Sequence, residues 1–238
     1  MSAAQPLLII PACNEASRLP AVLEGLEAAG LDLEVVVVDD GSSDATAEVA
    51  TAGGAEVIRH PFNLGYGAAL QTGYKYALAR GAKVVAQMDA DGQHRADQLG
   101  RLLGPVQSGE ADLVVGSRFL EETAYRMGPL KGLGRRLFGL FGRWVGLRIT
   151  DPTSGFQAMN RRVLELYGAD FFPTDFPDID VLVAAHRRGL RIRECAVRMD
   201  PSQRKSSLHS GLRPPYYVYR TALAFWVASA RAHKNGTR

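Results

Sequence analysis

The chain has 238 residues, 46% of them hydrophobic and 22% charged, with a formal net charge of +3. That length suits one large α/β domain and leaves a second independent core cramped, and the composition is that of a soluble globular protein. No stretch reaches the roughly 20 apolar residues of a membrane span, the start MSAAQPLLII lacks a signal peptide's basic region, and Cys13 and Cys195 make no metal or redox spacing.

Leu7–Ile10 and Glu34–Val38 are short β-rich apolar runs that give way to polar and small residues, and predict the first two strands. Between them Leu19, Val22, Leu23 and Leu26 recur at helical spacing, predicting a helix from Leu19 to Ala29. Asp44–Ala52 reads as the next helix, Ala55–Ile58 as a strand, Tyr66–Arg80 as a helix and Lys83–Met88 as a strand. A helix over Asp97–Ser108 and a strand over Asp112–Gly116 continue the alternation. This rhythm predicts a mostly parallel sheet covered by helices, with ligands bound beyond the carboxyl ends of its strands. After Gly116 the pattern changes. Residues 118–148 read as basic amphipathic helix and 151–157 (DPTSGFQ) as a loop. Helical pieces over Val163–Tyr167 and Asp178–Arg187, a late strand over Arg191–Met199 and an aromatic terminal helix from Pro215 to Ala232 follow. Charge is uneven as well. From His186 onward twelve Lys or Arg face two acids, and between Leu113 and Thr150 seven face two. Such segments suit phosphate groups or an anionic membrane surface.

The strand ending at Met88 delivers Asp89 and Asp91, two carboxylates separated by Ala90. Buried together they would repel and lose hydration, so they call for a positive group. A hard cation such as Mg²⁺ or Mn²⁺ accepts one or two carboxylates and completes its shell with ligand oxygens, which points to a divalent metal carrying a diphosphate. Asp39 and Asp40 close the second strand ahead of Gly41, and Ser42, Ser43 or Asp44 can cap the helix that follows. One acid would serve as a helix cap; a second can accept hydrogen bonds from a nucleobase or ribose. NLGYGAA (63–69) holds only part of the dinucleotide fingerprint and sits after the third strand, so it reads as a turn and helix start.

In order, I-P-A-C-N-E, V-D-D-G-S-S-D-A-T, N-L-G-Y-G-A-A, D-A-D-G-Q-H, G-S-R and D-P-T-S-G-F-Q resemble the family 2 glycosyltransferases. The likeness is to their dolichol- and polyprenyl-phosphate sugar synthase branch, from Leu7 to about Met199. The resemblance implies a GT-A fold, a Rossmann-like α/β sheet, with C-terminal amphipathic helices. It further implies that Pro11, Glu15 and Asp40 hold the nucleoside of an NDP-sugar, with Cys13 and Val38 as backbone or packing contacts. Asp91 and Gln93 would hold the metal, and Asp89, beside Ala90, would contact the sugar nucleotide and stand close enough to join them. Arg118 would meet a phosphate, and Arg135, with Arg136 adjacent, is the expected second cation. Asp180, or Asp178 beside it, matches the acid that serves as general base where the acceptor is a hydroxyl. The family's R-x-x-G-x-S-K stretch is incomplete in PSQRKSSLHSG, where Arg204 and Lys205 are the expected substitutes.

The expectation is therefore a single glycosyltransferase domain over residues 1–211, followed by a basic amphipathic tail over 212–238. It would transfer sugar with inversion from an NDP-sugar to a polyprenyl phosphate at the cytoplasmic membrane face. Catalysis would rest on Asp91, Arg118 and Asp180. A hydroxyl of a soluble or cell-wall glycan is the alternative acceptor, and a non-catalytic nucleotide-sugar binding module the rival of another class. A nucleotidyltransferase is disfavoured, because no glycine-rich basic loop follows the first strand. Expected partners are the donor, the acceptor and an anionic lipid surface, with room for a separate integral-membrane partner protein; nucleic acid is not among them.

Overall fold

The computed structural model describes residues 5–120, 146–147, 149–170, 172–174, 177 and 179–200. Seven strands lie in one sheet: β1 (Leu7–Ala12), β2 (Glu34–Asp39), β3 (Glu56–Arg59), β4 (Val84–Gln87), β5 (Leu113–Ser117), β6 (Gln157–Asn160) and β7 (Ile192–Ala196). Their order is β3-β2-β1-β4-β6-β5-β7. β1 pairs in parallel with β2 and β4, β2 with β3, and β5 with β7, whereas β6 runs antiparallel to β4 and β5.

Helices cover both faces. α1 (Leu19–Ala28), α2 (Thr46–Ala52) and α4 (Leu99–Gln107) pack on one; α3 (Tyr66–Ala79), α5 (Arg161–Tyr167) and α6 (Ile179–Arg187) pack on the other. Both faces being dry, central strands must be apolar throughout rather than alternating. All six residues of β1 are buried, with Leu7 and Ile9 toward the α3 layer and Leu8 and Ile10 toward the α1 layer. α1 starts with Pro20 in its first turn and buries Leu19, Val22, Leu23 and Leu26, the stripe expected of one helix face. Each such leucine stabilises the fold by about 1.5–3 kcal/mol. α3 packs directly on β1. A methyl group at Gly73 would stand 2.5 Å from the Ile9 side chain, so even Gly73→Ala would force β1 and α3 apart.

The predicted elements through β5 appear within two residues of their expected bounds, apart from a 3₁₀ turn (Ala96–Gln98) ahead of α4. One strand was not expected. Gln157–Asn160 (QAMN) follows the DPTSGFQ loop as β6, and its antiparallel run makes the sheet mixed. Four residues without β-branching carry no strand signal of their own; the slot between β4 and β5 imposes it. The expected terminal helix, Arg135, Arg136, Asp178, Arg204, Lys205 and the tail over 212–238 lie outside the described residues. Among those described, no helix is long and apolar enough to cross a membrane.

Candidate active site

The carboxyl ends of β1, β2 and β4 face one side of the sheet, and the loops leaving them are laced together. Past β1, Asn14 takes a left-handed backbone (φ 56°), tolerable for asparagine. Its N–H donates to Ser42 Oγ at 2.9 Å, and its side-chain oxygen accepts from the Ser43 N–H at 2.9 Å. The Glu15 N–H donates to Thr46 Oγ1 at 2.9 Å, and the Ala16 N–H to Asp44 at 3.2 Å. Asp44 is therefore not the N-cap of α2, which falls on Ala45; it bridges the Thr46 N–H and the β1 loop. Of the expected nucleoside contacts, Pro11 and Val38 are buried neighbours in register across β1 and β2. Glu15 is buried and accepts from Arg18 at 2.7 Å. Cys13 is half-buried, its sulfur accepting from Asn63 at 3.3 Å.

The paired acids of β2 divide their work. Asp39 accepts from the Ser42 N–H at 3.0 Å and forms an ion pair with Arg59 at 3.1 Å. Asp40, 3% exposed, turns inward: it accepts from the N–H groups of Leu64 at 2.8 Å and Gly65 at 2.9 Å and from His60 Nδ1 at 2.7 Å. His60 in turn meets Thr72 Oγ1 at 2.9 Å. Asp40 thus fixes the turn that starts α3. Gly41 lets the loops close. Its φ is +67°, and a methyl there would lie 2.5 Å from the backbone of Phe62.

At the end of β4, Asp91 accepts from the Gln93 N–H at 3.0 Å and from the Gln93 side-chain amide, across a turn that Gly92 makes at φ +80°. Asp89 accepts from the Tyr66 hydroxyl at 2.7 Å, and its N–H donates to His94 Nδ1 at 2.9 Å. Ala90 is buried between them. Among the described residues neither carboxylate pairs with a lysine or arginine; the one basic neighbour is His94, whose Nε2 lies 3.7 Å from Asp89. No three His, Cys, Asp or Glu side chains gather as a closed metal cage among the described residues. Two carboxylates and the Gln93 amide oxygen do fit a hard cation that takes its remaining oxygens from water and a bound diphosphate.

The third corner lies beyond β5. Asp151, almost fully buried, grips Arg118 through Nε at 2.8 Å and Nη2 at 2.9 Å, and accepts from the Arg118 N–H at 3.2 Å. The fork fixes the guanidinium plane, 5.5 Å over the Phe119 ring. Glu194 on β7 holds that turn from below, accepting from the N–H groups of Thr150 at 2.8 Å and Asp151 at 2.9 Å. Burial raises the Glu194 carboxyl above its usual range. Asp180 sits half-buried in the first turn of α6. Its charge acts on buried Tyr167, whose hydroxyl is pushed up by burial first and by Asp180 second. Among the described residues no hydrogen bond joins Asp180 to Asp89, Asp91 or Arg118. Residues missed in the sequence are Tyr66, His60, His94, Asp151 and Glu194; Tyr66, His94 and Asp151 lie inside motifs noted above, but their partners do not show along the chain.

The sequence matches the model of a family described as Glycosyl transferase family 2 over residues 7–168. It is 37% identical over 167 residues to the polyprenol monophosphomannose synthase of Mycolicibacterium smegmatis, covering 67% of this chain and 63% of that protein. It is 33% identical over 217 residues to the undecaprenyl-phosphate mannosyltransferase of Micrococcus luteus, covering 86% and 87%. In three dimensions it resembles glucosyl-3-phosphoglycerate synthase of Mycobacterium tuberculosis, solved with Mn²⁺, UDP and phosphoglyceric acid. That match has a TM-score of 0.71 and 22% identity, over 93% of this chain and 78% of that one.

Proposed function

The chain belongs to glycosyl transferase family 2 and is a glycosyltransferase of GT-A fold, and from that premise we propose that it moves a sugar from an NDP-sugar to a polyprenyl phosphate. The observation that carries this reading is the pairing of opposites on one rim: two aspartates with no lysine or arginine partner among the described residues past β4, and an arginine held in one plane past β5. The acids suit a cation-bound diphosphate and the arginine suits an incoming phosphate. The relatives named for polyprenol and undecaprenyl phosphate support that acceptor.

Asp91 and Gln93, joined by Asp89, would hold the divalent cation, Mg²⁺ or Mn²⁺, whose charge offsets that of the departing diphosphate. Pro11, Cys13, Glu15 and Val38 frame the nucleoside, and Asp40 fixes the turn that forms its wall. Arg118, oriented by Asp151, would meet the acceptor phosphate. A phosphate is ionised at neutral pH, so attack with inversion needs alignment more than a base. Since a polyprenyl phosphate is anchored in lipid, the enzyme would work at the cytoplasmic membrane face.

The test is a sugar-release assay with UDP-glucose, UDP-N-acetylglucosamine and GDP-mannose, with and without undecaprenyl phosphate and with and without EDTA. Sugar reaching the lipid from one donor, stopped by EDTA, is the expected result. Transfer to a soluble glycan with the lipid ignored would instead favour a hydroxyl acceptor with Asp180 as base. In that case Asp180→Asn should be nearly inactive.

A further inference from the structure

Three loops converge on the carboxylate of Asp89. From the start of α3, Tyr66 donates its hydroxyl to Oδ1 at 2.7 Å. From the turn after β4, His94 accepts from the Asp89 N–H at 2.9 Å, and its ring lies flat on Phe156, 4.8 Å between centroids and 12° between planes. From the loop before β6, Gly155 closes the third side. A methyl group there would stand 2.7 Å from the Tyr66 hydroxyl and 3.2 and 3.3 Å from the two Asp89 oxygens. The Gly155 φ lies outside the left-handed region, so glycine is required there by space and not by backbone conformation.

That loop cannot drift off to make room. The buried side chains of Gln87 and Gln157, opposite each other across β4 and β6, donate to the carbonyls of Gly155 and Ser154, each at 2.9 Å. An added methyl would therefore crowd the phenol and the Asp89 carboxylate and disturb the bond between them.

We propose that Tyr66 sets donor-sugar recognition by fixing the Asp89 carboxylate, and that Gly155 is kept bare so that this pair can form. The proposal rests on the NDP-sugar reading above. The phenol on Oδ1 settles which way Oδ2 faces. The carboxylate then presents its acceptors in one orientation, the geometry that reads neighbouring hydroxyls of a sugar ring. Tyr66 is a positioning residue here, acting through Asp89.

Binding of UDP, UDP-glucose, UDP-N-acetylglucosamine, GDP and GDP-mannose in Mn²⁺ would be measured for the wild type, Tyr66→Phe, Gly155→Ala and the double variant. Tyr66→Phe should weaken the preferred NDP-sugar roughly 5-fold, the loss of one neutral hydrogen bond, and leave the matching sugar-free nucleotide unchanged. Gly155→Ala should do the same, and the double variant should be no worse than the worse single. Equal losses for nucleotide and nucleotide-sugar, no loss, or losses that multiply in the double variant would each overturn the assignment. If Gly155→Ala fails to fold, the cycle of Tyr66→Phe with Asp89→Asn carries the same test, the double again matching the worse single. A wild type that binds none of the five ligands overturns the donor reading and this proposal with it. Sugar-blind losses in a protein that does bind them overturn this proposal alone.

Discussion

At opposite ends of the same sheet, two sets of aspartates keep different company. Asp112, just before β5, is almost fully buried and accepts from the Arg191 N–H at 2.8 Å, Arg191 Nε at 3.1 Å and Asn160 at 2.8 Å, with Arg162 at 3.4 Å. The hydrogen bond from Arg191, foremost, holds its carboxyl down to about 2. Asp89 and Asp91, just past β4, have a phenol, a glutamine and a histidine for neighbours. Among the described residues, arginines surround Asp112, whereas no lysine or arginine pairs with Asp89 or Asp91. Polarity alone would not separate the two sets; the charge of the partners does.

The largest expected effect would break that comparison from the ligand side. Asp91→Ala should cut sugar transfer by about 10³-fold or more, while the melting temperature moves by no more than about 2 °C. Turnover and calorimetry on one preparation check both halves. From the other side, Asp112→Asn should cost about 2–3 kcal/mol, since it leaves the Arg191 donors facing a neutral amide, with transfer per folded molecule unchanged. Denaturant unfolding and active-site titration measure that pair of outcomes.

Asp40 stands between the two sets. It lies on the ligand side, yet two backbone N–H groups and His60 already bond to it. Asp40→Ala should therefore lose both about 1–2 kcal/mol of stability and several-fold in nucleotide affinity. Calorimetric titration at a temperature where the variant is folded separates the two.

Acid sharpens the contrast further. The Asp112 carboxyl is depressed in the folded state, so its contribution is full above its unfolded pKa near 3.8 and is lost as pH falls toward about 2. Melting temperatures from pH 5 to 2 should fall more steeply for the wild type than for Asp112→Asn. Smallest of all, Asp44→Ala should cost about 1 kcal/mol, through the Thr46 and Ala16 amides it bridges.

Local chemistry in the sequence was enough for the sheet from β1 to β5 and for the clustering of Asp39, Asp40, Asp89 and Asp91 on one rim. Apolar strands that end in acids and glycine announce themselves. β6 did not, because QAMN becomes a strand only between two neighbours. The hold of Asp151 on Arg118 spans 33 positions, and that of Arg191 on Asp112 spans 79, so no window along the chain contains either pair. Tyr66 read as a helix start; its bond to Asp89 exists only because α3 and the β4 loop meet over the sheet.

The central claim is that the acids past β4 serve a cation-bound nucleotide-sugar while Asp112 serves the fold. Calorimetric titration of the wild type, Asp91→Ala and Asp112→Asn with the preferred NDP-sugar, with and without Mn²⁺, tests it most directly. Mn²⁺-dependent binding is expected in the wild type and in folded Asp112→Asn, and none in Asp91→Ala. Equal binding in all three regardless of Mn²⁺, or loss in folded Asp112→Asn with retention in Asp91→Ala, would contradict it.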